Sequence, residues 1–397
     1  MAQTIPDHVD ILVVGGGPVG ASVALLAAQA GYSVGLIEER TPLFASAEAV
    51  PLDPRTLALS YASHQSLAAA GLWQPEFFPM TPIDRVHVSQ QGGFGRTCLH
   101  ADDVSLPHLG FTVPYSGLVS CIDHVLQRSA VHWLTAARVT RLRSLARYTE
   151  VTWADHRGQS STLTARLVVC ADGGGLIEQL PDIRRYEHDY QQSAIIVPLA
   201  TSEPHHNQAF ERFSDDGPMA LLPAEKGMIL VWTRDTATAQ ALLACDEANF
   251  IAEFSRVFGD RLGGLSLLGE RVALPLRSKI ANKVVSSRVV LVGNAAQTMH
   301  PVAAQGLNLG LRDARTLVDT LQAGGDPGDA VRLAAYARAR KQDSLAITGF
   351  THSLIALVDG AGWWRKAARG LGLTTLDTVA PLRRRFAQHL VFGVGAS

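Results

Sequence analysis

The sequence predicts an α/β protein in which a parallel sheet is joined to a β-rich middle segment and a helical C-terminal region. Three observations support this prediction: an N-terminal strand–turn–helix–strand unit, alternating apolar and polar residues in the middle of the chain, and long helical patterns over residues 331–397. With 397 residues, of which 47% are hydrophobic and 18% charged, the chain can form two or three packed units.

The first predicted elements form a βαβ unit. Residues 10–14, DILVV, predict a short buried strand, and the Ala-rich residues 20–30 predict a helix that Gly31 ends. The segment SVGLIEE then predicts a second strand. The whole unit has the length expected of a right-handed crossover.

The same N-terminal stretch is apolar enough to suggest a membrane span or a signal peptide. No Lys or Arg precedes Arg40, however, so the basic start of a signal peptide is missing. The run Gly15-Gly16-Gly17-Pro18 would also break a membrane helix at its centre. We therefore expect no membrane span or signal peptide here.

The turn of the βαβ unit has the pattern G-x-G-x-x-G. Gly15 suits a tight turn, Gly17 lets the backbone approach a pyrophosphate, and Gly20 lets the helix pack closely on the strand. Glu38, at the end of the second strand, is placed to accept hydrogen bonds from a ribose diol. A glycine-rich turn without a ligand is the alternative, but the surrounding elements favour a Rossmann-like dinucleotide site, for NAD or for FAD.

Two later segments also run from an apolar strand into a loop. The first, RLVVCADGGG at 166–175, is by itself a common turn. The second, SSRVVLVGNAAQTMHP at 286–301, brings Asn294 to a position where it can hydrogen-bond a ligand hydroxyl. The helix that follows begins near Gly306, Leu307 and Asn308. The backbone N–H groups of these three residues can stabilise negative charge on a ring carbonyl. An NAD dehydrogenase has no need of this second loop, so the pattern favours FAD.

Charge and cysteine content exclude several other classes. The 35 basic and 36 acidic residues give no net field that would attract nucleic acid. The four cysteines are scattered, at positions 98, 121, 170 and 245, and form no metal-binding pair. We expect no metal site, no structural disulfide and a cytoplasmic location.

The chain resembles the FAD-dependent aromatic hydroxylases with the para-hydroxybenzoate hydroxylase type of fold. Four motifs occur in the order of that family: GGGPVG at 15–20, DPRTLALSYAS at 53–63, ADG at 171–173, and GNAAQTMHPVAAQGLNLGLRD at 293–313. Two further segments are similar to the ubiquinone-biosynthesis branch, and within it to the 2-polyprenyl-6-methoxyphenol hydroxylases: HADDVSLPHLGFTV at 100–113 and FERFSDDGPMALLP at 210–223. The resemblance implies a FAD-binding domain of the glutathione-reductase type.

The resemblance also implies a set of site residues. Those matching cofactor-binding positions are Gly15, Gly17, Gly20, Glu38, Arg55, Val139, Asp172, Gly173, Asn294, Gln305, Gly306, Leu307 and Asn308. Arg55 has a surface salt bridge as its alternative role. The chain departs from the family pattern where Leu176 and Gln179 replace a Ser and an Arg, where Ala304 replaces a Gly, and where PYSGLVSC lacks an Arg.

The activity that the resemblance implies is hydroxylation of a polyprenylated phenol by O₂, with NAD(P)H as electron donor and a flavin C4a-hydroperoxide as intermediate. The protein then has to position the ring, exclude water and remove the phenolic proton. His300 and Pro301 match a loop on the substrate side of the flavin. His300 is interpreted as a proton relay or as a loop histidine bonded to backbone.

The middle of the chain predicts the substrate domain. We expect this domain over 81–109 and 183–274, and a discontinuous FAD domain over 1–80, 110–182 and 275–330. Four residues of this domain are candidates for its wall facing the substrate, although aromatic and aliphatic residues in strands are more often plain core. They are Phe210, Phe213, Leu221 and Pro223.

Residues 331–397 form the helical C-terminal region. Trp363 and Trp364 lie beside basic residues, and Arg383-Arg384-Arg385 precede Phe386, a composition suited to a lipid headgroup boundary. A partner protein of a ubiquinone-biosynthesis complex, or packing on the FAD domain, would also explain the pattern. Because a polyprenyl substrate resides in a membrane, we expect peripheral association with the inner face of the cytoplasmic membrane.

Two other functions are compatible with the same motifs. One is a non-catalytic flavin-fold scaffold, which the changed residues after the ADG motif and the missing Arg of PYSGLVSC would permit. The other is a flavin reductase or dehydrogenase that acts without O₂. Consumption of reduced nicotinamide in the presence of a phenol would exclude the scaffold, and anaerobic turnover would favour the dehydrogenase.

Overall fold

The computed structural model describes residues 5–43, 55–298, 305–322, 324–342 and 363–393. The strands are β1 His8–Val14, β2 Val34–Ile37, β3 Thr56–Ser60, β4 Thr81–Ile83, β5 Arg85–Gln90, β6 Arg96–His100, β7 Gly110–Pro114, β8 His132–Leu134, β9 Ala137–Ser144, β10 Thr149–Asp155, β11 Ser160–Cys170, β12 Arg185–Thr201, β13 Gln208–Ser214, β14 Gly217–Ala224, β15 Gly227–Asp235, β16 Leu265–Leu267, β17 Val272–Ala281, β18 Val285–Ser286, β19 Val289–Leu291 and β20 Gln297–Thr298. The helices are α1 Pro18–Gln29, α2 Tyr61–Ala69, α3 Tyr115–Arg128, α4 Thr236–Ala244, α5 Glu247–Phe258, α6 Gln305–Leu321, α7 (described over 330–342), α8 Trp363–Thr378 and α9 Ala380–Phe392.

A mainly parallel sheet forms the first layer of the molecule. Its strands follow the order β18-β19-β11-β1-β2-β8, and every pair from β19 to β8 is parallel. The inner strands consist almost wholly of buried Val, Leu and Ile, as expected for a sheet covered on both faces. The predicted βαβ unit is thus present as β1, α1 and β2, with β1 beginning two residues before the predicted start.

The carboxyl ends of these parallel strands are in register. Val14 lies opposite both Ile37 and Cys170, and Cys170 lies opposite Leu291. The loops that follow the four strands therefore meet at one edge, which is where open α/β sheets bind ligands.

Helices α1 and α6 pack against each other behind this edge, with Gly310 at the contact. A Cβ atom placed on Gly310 would lie 2.7 Å from Val19 and 3.1 Å from the Gly293 Cα atom. Only glycine fits this crossing, because a methyl group would push the two helices apart. The crossing fixes the position of the first turn of α6 relative to the β1–α1 turn.

The second sheet has nine strands within the described residues and follows the order β20-β17-β12-β15-β14-β13-β5-β6, with β16 on β12. Its outer face packs against α4 and α5 around Trp232, Phe250 and Phe254. Chain segments 85–100, 185–281 and 297–298 build this sheet. The division into domains at 80, 110, 183 and 275 stays a prediction.

Helices α8 and α9 close the molecule beside the second sheet. Leu390 and Val391 of α9 pack with Leu99 and Leu109, and Arg383 pairs with Asp103 at 3.1 Å. In the part of the chain that the structure describes, no helix is both long and apolar enough to cross a membrane. The side chains of Trp363 and Trp364 and the segment 343–362 lie outside the described residues.

Candidate functional site

The turn between β1 and α1 is shaped by its glycines. Gly15 has a φ of +100°, and a Cβ atom there would lie 2.6 Å from the Ala171 carbonyl oxygen. A Cβ atom on Gly20 would lie 1.9 Å from the Gly15 carbonyl oxygen, so the helix can approach the turn only without a side chain. A Cβ atom on Gly17, in contrast, would meet no atom within 4 Å. Gly15 and Gly20 are thus tightly packed against neighbouring backbone, whereas the space beside Gly17, at the N-terminus of α1, is free.

The carboxylate of Glu38 supports this turn from the end of β2. It accepts hydrogen bonds from the backbone N–H groups of Gly16, at 2.5 Å, and Arg40, at 2.8 Å. The Arg40 guanidinium donates to both carboxylate oxygens of the buried Asp123 on α3, and this ion pair raises the pKa of Arg40. Glu38 is therefore held at the edge of the sheet, where its remaining lone pairs can accept from a diol.

The loop after β11 is ordered by its own aspartate. The two oxygens of Asp172 accept from the N–H groups of Gly174, at 3.1 Å, and Leu176, at 2.9 Å. Gly173 has a φ of +75° and open space at its Cβ position. The loop thus exposes backbone rather than side chains toward the turn of β1.

The residues that depart from the family pattern just after the ADG motif have structural partners. Gln179 accepts from Leu142 N–H at 2.8 Å and donates to the Thr140 carbonyl at 3.0 Å, which ties the loop to β9. Leu176 is 6% exposed and lies in the core of the first sheet. Both replacements hold the loop against the sheet.

Together these loops enclose a cleft of about 500 Å³ at the carboxyl end of the parallel strands. Five of the predicted cofactor residues line it, namely Gly15, Gly17, Glu38, Val139 and Asp172. A helix N-terminus, a carboxylate and unhindered backbone are the groups that bind the pyrophosphate and ribose of a dinucleotide. The residues of this cleft therefore fit the adenine-nucleotide half of FAD.

Other predicted cofactor residues lie further along the same edge. Asn294 is exposed in the 3₁₀ turn Gly293–Ala295 that follows β19. Arg55 precedes β3 and places its guanidinium 4.7 Å from the centre of the Tyr115 ring. The family's arginine position at the start of α3 is filled by Ser116 and by Gly117, whose Cβ position lies 2.5 Å from Phe78 and so excludes a larger side chain.

The first turn of α6 faces β3. The side chain of Asn308 accepts from Ser60 N–H at 2.9 Å and donates to the Ala58 carbonyl at 3.1 Å. This predicted cofactor residue thus uses its side chain to join α6 to β3, which leaves the expected N–H role to the backbone of Gly306, Leu307 and Asn308. Gln305 is buried, and Gly306 has open space at its Cβ position. His300, Pro301 and Ala304 lie outside the described residues.

An apolar cavity of about 140 Å³ lies between this turn, the second sheet and α9. Three groups of residues line the cavity. Those near the first turn of α6 are Ser60, Gln305 and Asn308, those of the second sheet are Val88, Glu211 and Leu222, and those of α9 are Phe386, Leu390 and Val391. An apolar cavity of about 150 Å³ is large enough to hold benzene. One aromatic ring therefore fits beside the first turn of α6.

The four predicted substrate-wall residues are placed differently from one another. Phe213 and Phe210 line the cavity, although Phe210 also packs edge-on against Phe258 of α5. Leu221 lies in the core on the α5 side of the sheet and does not line the cavity. Pro223 is buried elsewhere on β14, and its neighbour Leu222 supplies the contact instead.

Two contributions to the cavity were not anticipated from the sequence. Glu211 points into the cavity from β13, and α9 forms one wall of it. The sequence does carry a signal for Glu211, since it directly follows Phe210, which is predicted to face the substrate. The position of α9 has no comparable signal, because it packs against Leu99 and Leu109, nearly 300 residues earlier in the chain.

The two sites define a class of protein. A dinucleotide cleft at the edge of a parallel sheet, followed by an apolar cavity of ring size under a second sheet, is the arrangement of a flavoprotein that acts on an aromatic substrate.

Comparisons with known proteins give the family. The sequence matches the FAD binding domain family over residues 8–351. It is 35% identical over 387 residues to the ubiquinone hydroxylase UbiL of Rhodospirillum rubrum, covering 96% of this chain and 89% of that protein. It is 30% identical over 396 residues to the 3-demethoxyubiquinol 3-hydroxylase of Escherichia coli, covering 96% and 97%. The chain belongs to the family of FAD-dependent aromatic monooxygenases that contains the ubiquinone-biosynthesis hydroxylases.

A solved structure shows the same fold. The p-nitrophenol 4-monooxygenase PnpA of Pseudomonas putida superposes with a TM-score of 0.76 at 17% identity, covering 98% of this chain and 100% of that one. The expected FAD cofactor and α/β flavin-hydroxylase fold are therefore confirmed, and NAD(P)H is the electron donor typical of this family.

Proposed function

We propose that this protein hydroxylates the ring of a polyprenylated phenol of the 2-polyprenyl-6-methoxyphenol type. The observation that carries the proposal is the apolar cavity of about 140 Å³ beside the first turn of α6. Its volume suits one ring, and its walls are almost entirely aliphatic and aromatic. The names of the two relatives, a ubiquinone hydroxylase and a demethoxyubiquinol hydroxylase, support a ubiquinone precursor as substrate.

The residues that would hold FAD are those of the cleft and of the α6 turn. Gly17 and the N-terminus of α1 would take the pyrophosphate, Glu38 the adenosine ribose, Asn294 the ribityl chain, and the backbone of residues 306–308 the flavin carbonyl. FAD, when bound, supplies O₂ activation by electrons from NAD(P)H. The overall change replaces one ring C–H by C–OH and consumes O₂, NAD(P)H and a proton, with water and NAD(P)⁺ as the other products.

The protein's own contribution is orientation and exclusion of water. Leu222, Phe213 and Leu390 present carbon atoms to the cavity, so a ring placed there is desolvated on most sides. The open position at Gly306 keeps the α6 turn free of side chains toward the cofactor. His300 and Pro301, which lie outside the described residues, remain our proposed substrate-side loop.

The reaction is tested directly with labelled oxygen. We expect the FAD-loaded protein to convert a short-chain 2-prenyl-6-methoxyphenol, with NAD(P)H and ¹⁸O₂, to a ring-hydroxylated product that carries one ¹⁸O atom. A demethoxyubiquinol analogue of equal chain length is the comparison substrate, and mass spectrometry of both products decides the ring position. Oxygen from water in the new hydroxyl, or equal turnover without O₂, would show a dehydrogenase; a yellow protein that leaves NAD(P)H unconsumed with either compound would show a scaffold.

We further propose that the α8–α9 corner rests on an anionic bilayer. Leu371, Val379 and Leu382 are exposed there by 62%, 44% and 45%, beside the exposed Arg384 and Arg385. Apolar side chains beside arginines suit a headgroup boundary. The opposite side of α9 lines the cavity, so the same helix would separate the substrate pocket from the lipid that holds a polyprenyl chain.

The membrane proposal predicts a loss of binding when two charges are removed. Arg384→Gln with Arg385→Gln is expected to weaken binding to vesicles of phosphatidylglycerol and phosphatidylcholine roughly 30-fold, because each basic residue contributes about 1 kcal/mol near an anionic surface. Arg383 is left intact because it pairs with Asp103. The control removes the exposed Arg141 and Arg147 of the β9 hairpin. Equal vesicle co-sedimentation of both double variants at low salt would contradict the proposal.

A further inference from the structure

Glu211 is a carboxylic acid in the apolar cavity. It lies in the middle of β13, where it is opposite Ala220 of β14 and Val88 of β5. The neighbouring Phe210 and Arg212 contact Phe258 and the Val257 carbonyl of α5, on the outer face of the sheet. Because side chains alternate along a strand, Glu211 points to the inner face, toward the first turn of α6.

Its surroundings offer the carboxyl group almost no polar partner. Among the described residues that line the cavity, Glu211 is the only ionisable one, and none of the described residues donates a hydrogen bond to it. Four charged groups on the surrounding elements have other neighbours. His87 and Arg212 lie on the outer face, Arg383 of α9 pairs with Asp103, and Asp313 of α6 pairs with Arg340.

Glu211 is only partly exposed, and a carboxyl group in apolar surroundings without a hydrogen-bond partner is costly to the fold. The cost is offset when a ligand supplies the missing hydrogen bond, and a phenolic hydroxyl is the group that an otherwise aliphatic ring-sized cavity leaves to be recognised. Ser60, Gln305 and Asn308, the neutral polar residues on the other wall, lie on the side of the first turn of α6.

We propose that Glu211 hydrogen-bonds the hydroxyl of the phenolic substrate and accepts its proton as the ring is hydroxylated. The inference rests on the proposed function. The phenolic O–H bond breaks, the proton moves to a Glu211 oxygen, and the electron pair left on the phenol oxygen makes the ring carbons more nucleophilic toward the oxygen that O₂ supplies. Once the new C–O bond has formed, the attacked ring carbon loses its hydrogen to solvent as a proton. Glu211 returns the first proton to the phenol oxygen, so the ring regains its aromatic form and Glu211 is regenerated.

The acidity of this group suits the step. Burial raises the pKa of the Glu211 carboxyl to about 8. A base is most effective in catalysis when its pKa lies close to the working pH and nearer to that of the acid it deprotonates. A carboxylate with an ordinary pKa would be a much weaker acceptor for a phenol proton.

The test compares Glu211→Gln with the wild type. The amide keeps the size of the side chain and its hydrogen bonding but cannot take a proton. We expect hydroxylation to fall by roughly 100-fold or more, with FAD content unchanged and NAD(P)H oxidation diverted to peroxide. In the wild type, kcat/KM for hydroxylation should rise with pH through an apparent pKa near 8, and this rise should be absent in Glu211→Gln. The control is Glu225→Gln in the exposed β14–β15 turn.

A binding measurement separates this inference from the proposed reaction. The wild type should bind 2-prenyl-6-methoxyphenol about tenfold more tightly than its O-methyl ether, and Glu211→Leu should lose that preference. Unchanged hydroxylation and pH profile in Glu211→Gln, or an unchanged preference in Glu211→Leu, would overturn the role of Glu211. If the wild type forms no hydroxylated product, the proposed function fails, and the binding comparison still decides whether Glu211 contacts the phenol.

Discussion

A Gly17→Val variant is expected to purify as a folded protein that contains almost no FAD. The Gly17 backbone has a φ of −66° and a ψ of 178°, which any residue adopts, and its Cβ position is open. Valine therefore fits the fold and costs about 1 kcal/mol at most as a poorer helix cap. Its side chain, however, fills the space through which a pyrophosphate approaches the N-terminus of α1. Flavin absorbance per mole of protein and circular dichroism measure the two expectations separately.

Two other glycines provide the comparison. Gly372→Val places the same side chain in open space on α8, far from the cleft, and should retain stoichiometric FAD. Gly20→Ala should fail to fold, because its Cβ atom would lie 1.9 Å from the Gly15 carbonyl oxygen. Stoichiometric FAD in a folded Gly17→Val protein would refute the placement of the pyrophosphate.

The second large effect concerns stability and pH. Burial raises the pKa of Glu211 from 4.5 to about 8, so between these values the unfolded state loses a proton that the folded state keeps. The contribution of the protonated Glu211 carboxyl to the free energy of unfolding is therefore fully present below about pH 4.5. It is lost as the pH rises to about 8, and the loss amounts to roughly 3 to 5 kcal/mol. Glu211→Gln carries no proton to lose, so it should exceed the wild type in stability by that amount at pH 8.5 and match it near pH 4.

Urea denaturation of the FAD-free proteins across this pH range measures the difference. Glu225→Gln, which makes the same chemical change on an exposed turn, should follow the wild type at every pH. Parallel stability curves for Glu211→Gln and the wild type would mean that the Glu211 carboxyl is solvated in the folded protein. That result would also weaken the case for a proton-accepting role.

The cofactor half of the molecule was predictable because its signals are local. Gly15, Gly17 and Gly20 lie within six residues, and the strand, helix and acid around them occur in a fixed order. The end of each parallel strand was visible as an apolar run that stops at a polar loop. The register of β1, β2 and β11 places Val14, Ile37 and Cys170 opposite one another. Glu38 and Asp172, which follow these strands, therefore lie at one cleft.

The substrate half was less predictable because strand alternation shows two faces but not which one meets the cofactor. Their apolar character predicts Phe210 and Leu221 as residues of the wall that faces the substrate. In the structure, α5 covers the face of the sheet on which Leu221 lies. Glu211 and Leu222, on the alternate positions, face the cavity. The choice between faces depends on where α5 and α9 pack, and those contacts are set by residues distant in sequence.

Helix α9 has one side toward the cavity and one side exposed, and this has a consequence for regulation. Its inner residues Phe386, Leu390 and Val391 touch the cavity, while Leu382, Arg384 and Arg385 face outward. If a molecule that binds the outer side changes the position of α9, it changes the affinity of the cavity for its ligand by some factor. Thermodynamic linkage then requires that the ligand change the affinity of the outer side by the same factor. Ligand binding in the cavity and binding to the outer side of α9 would thus strengthen or weaken each other, and the coupling would pass through this one helix of thirteen residues.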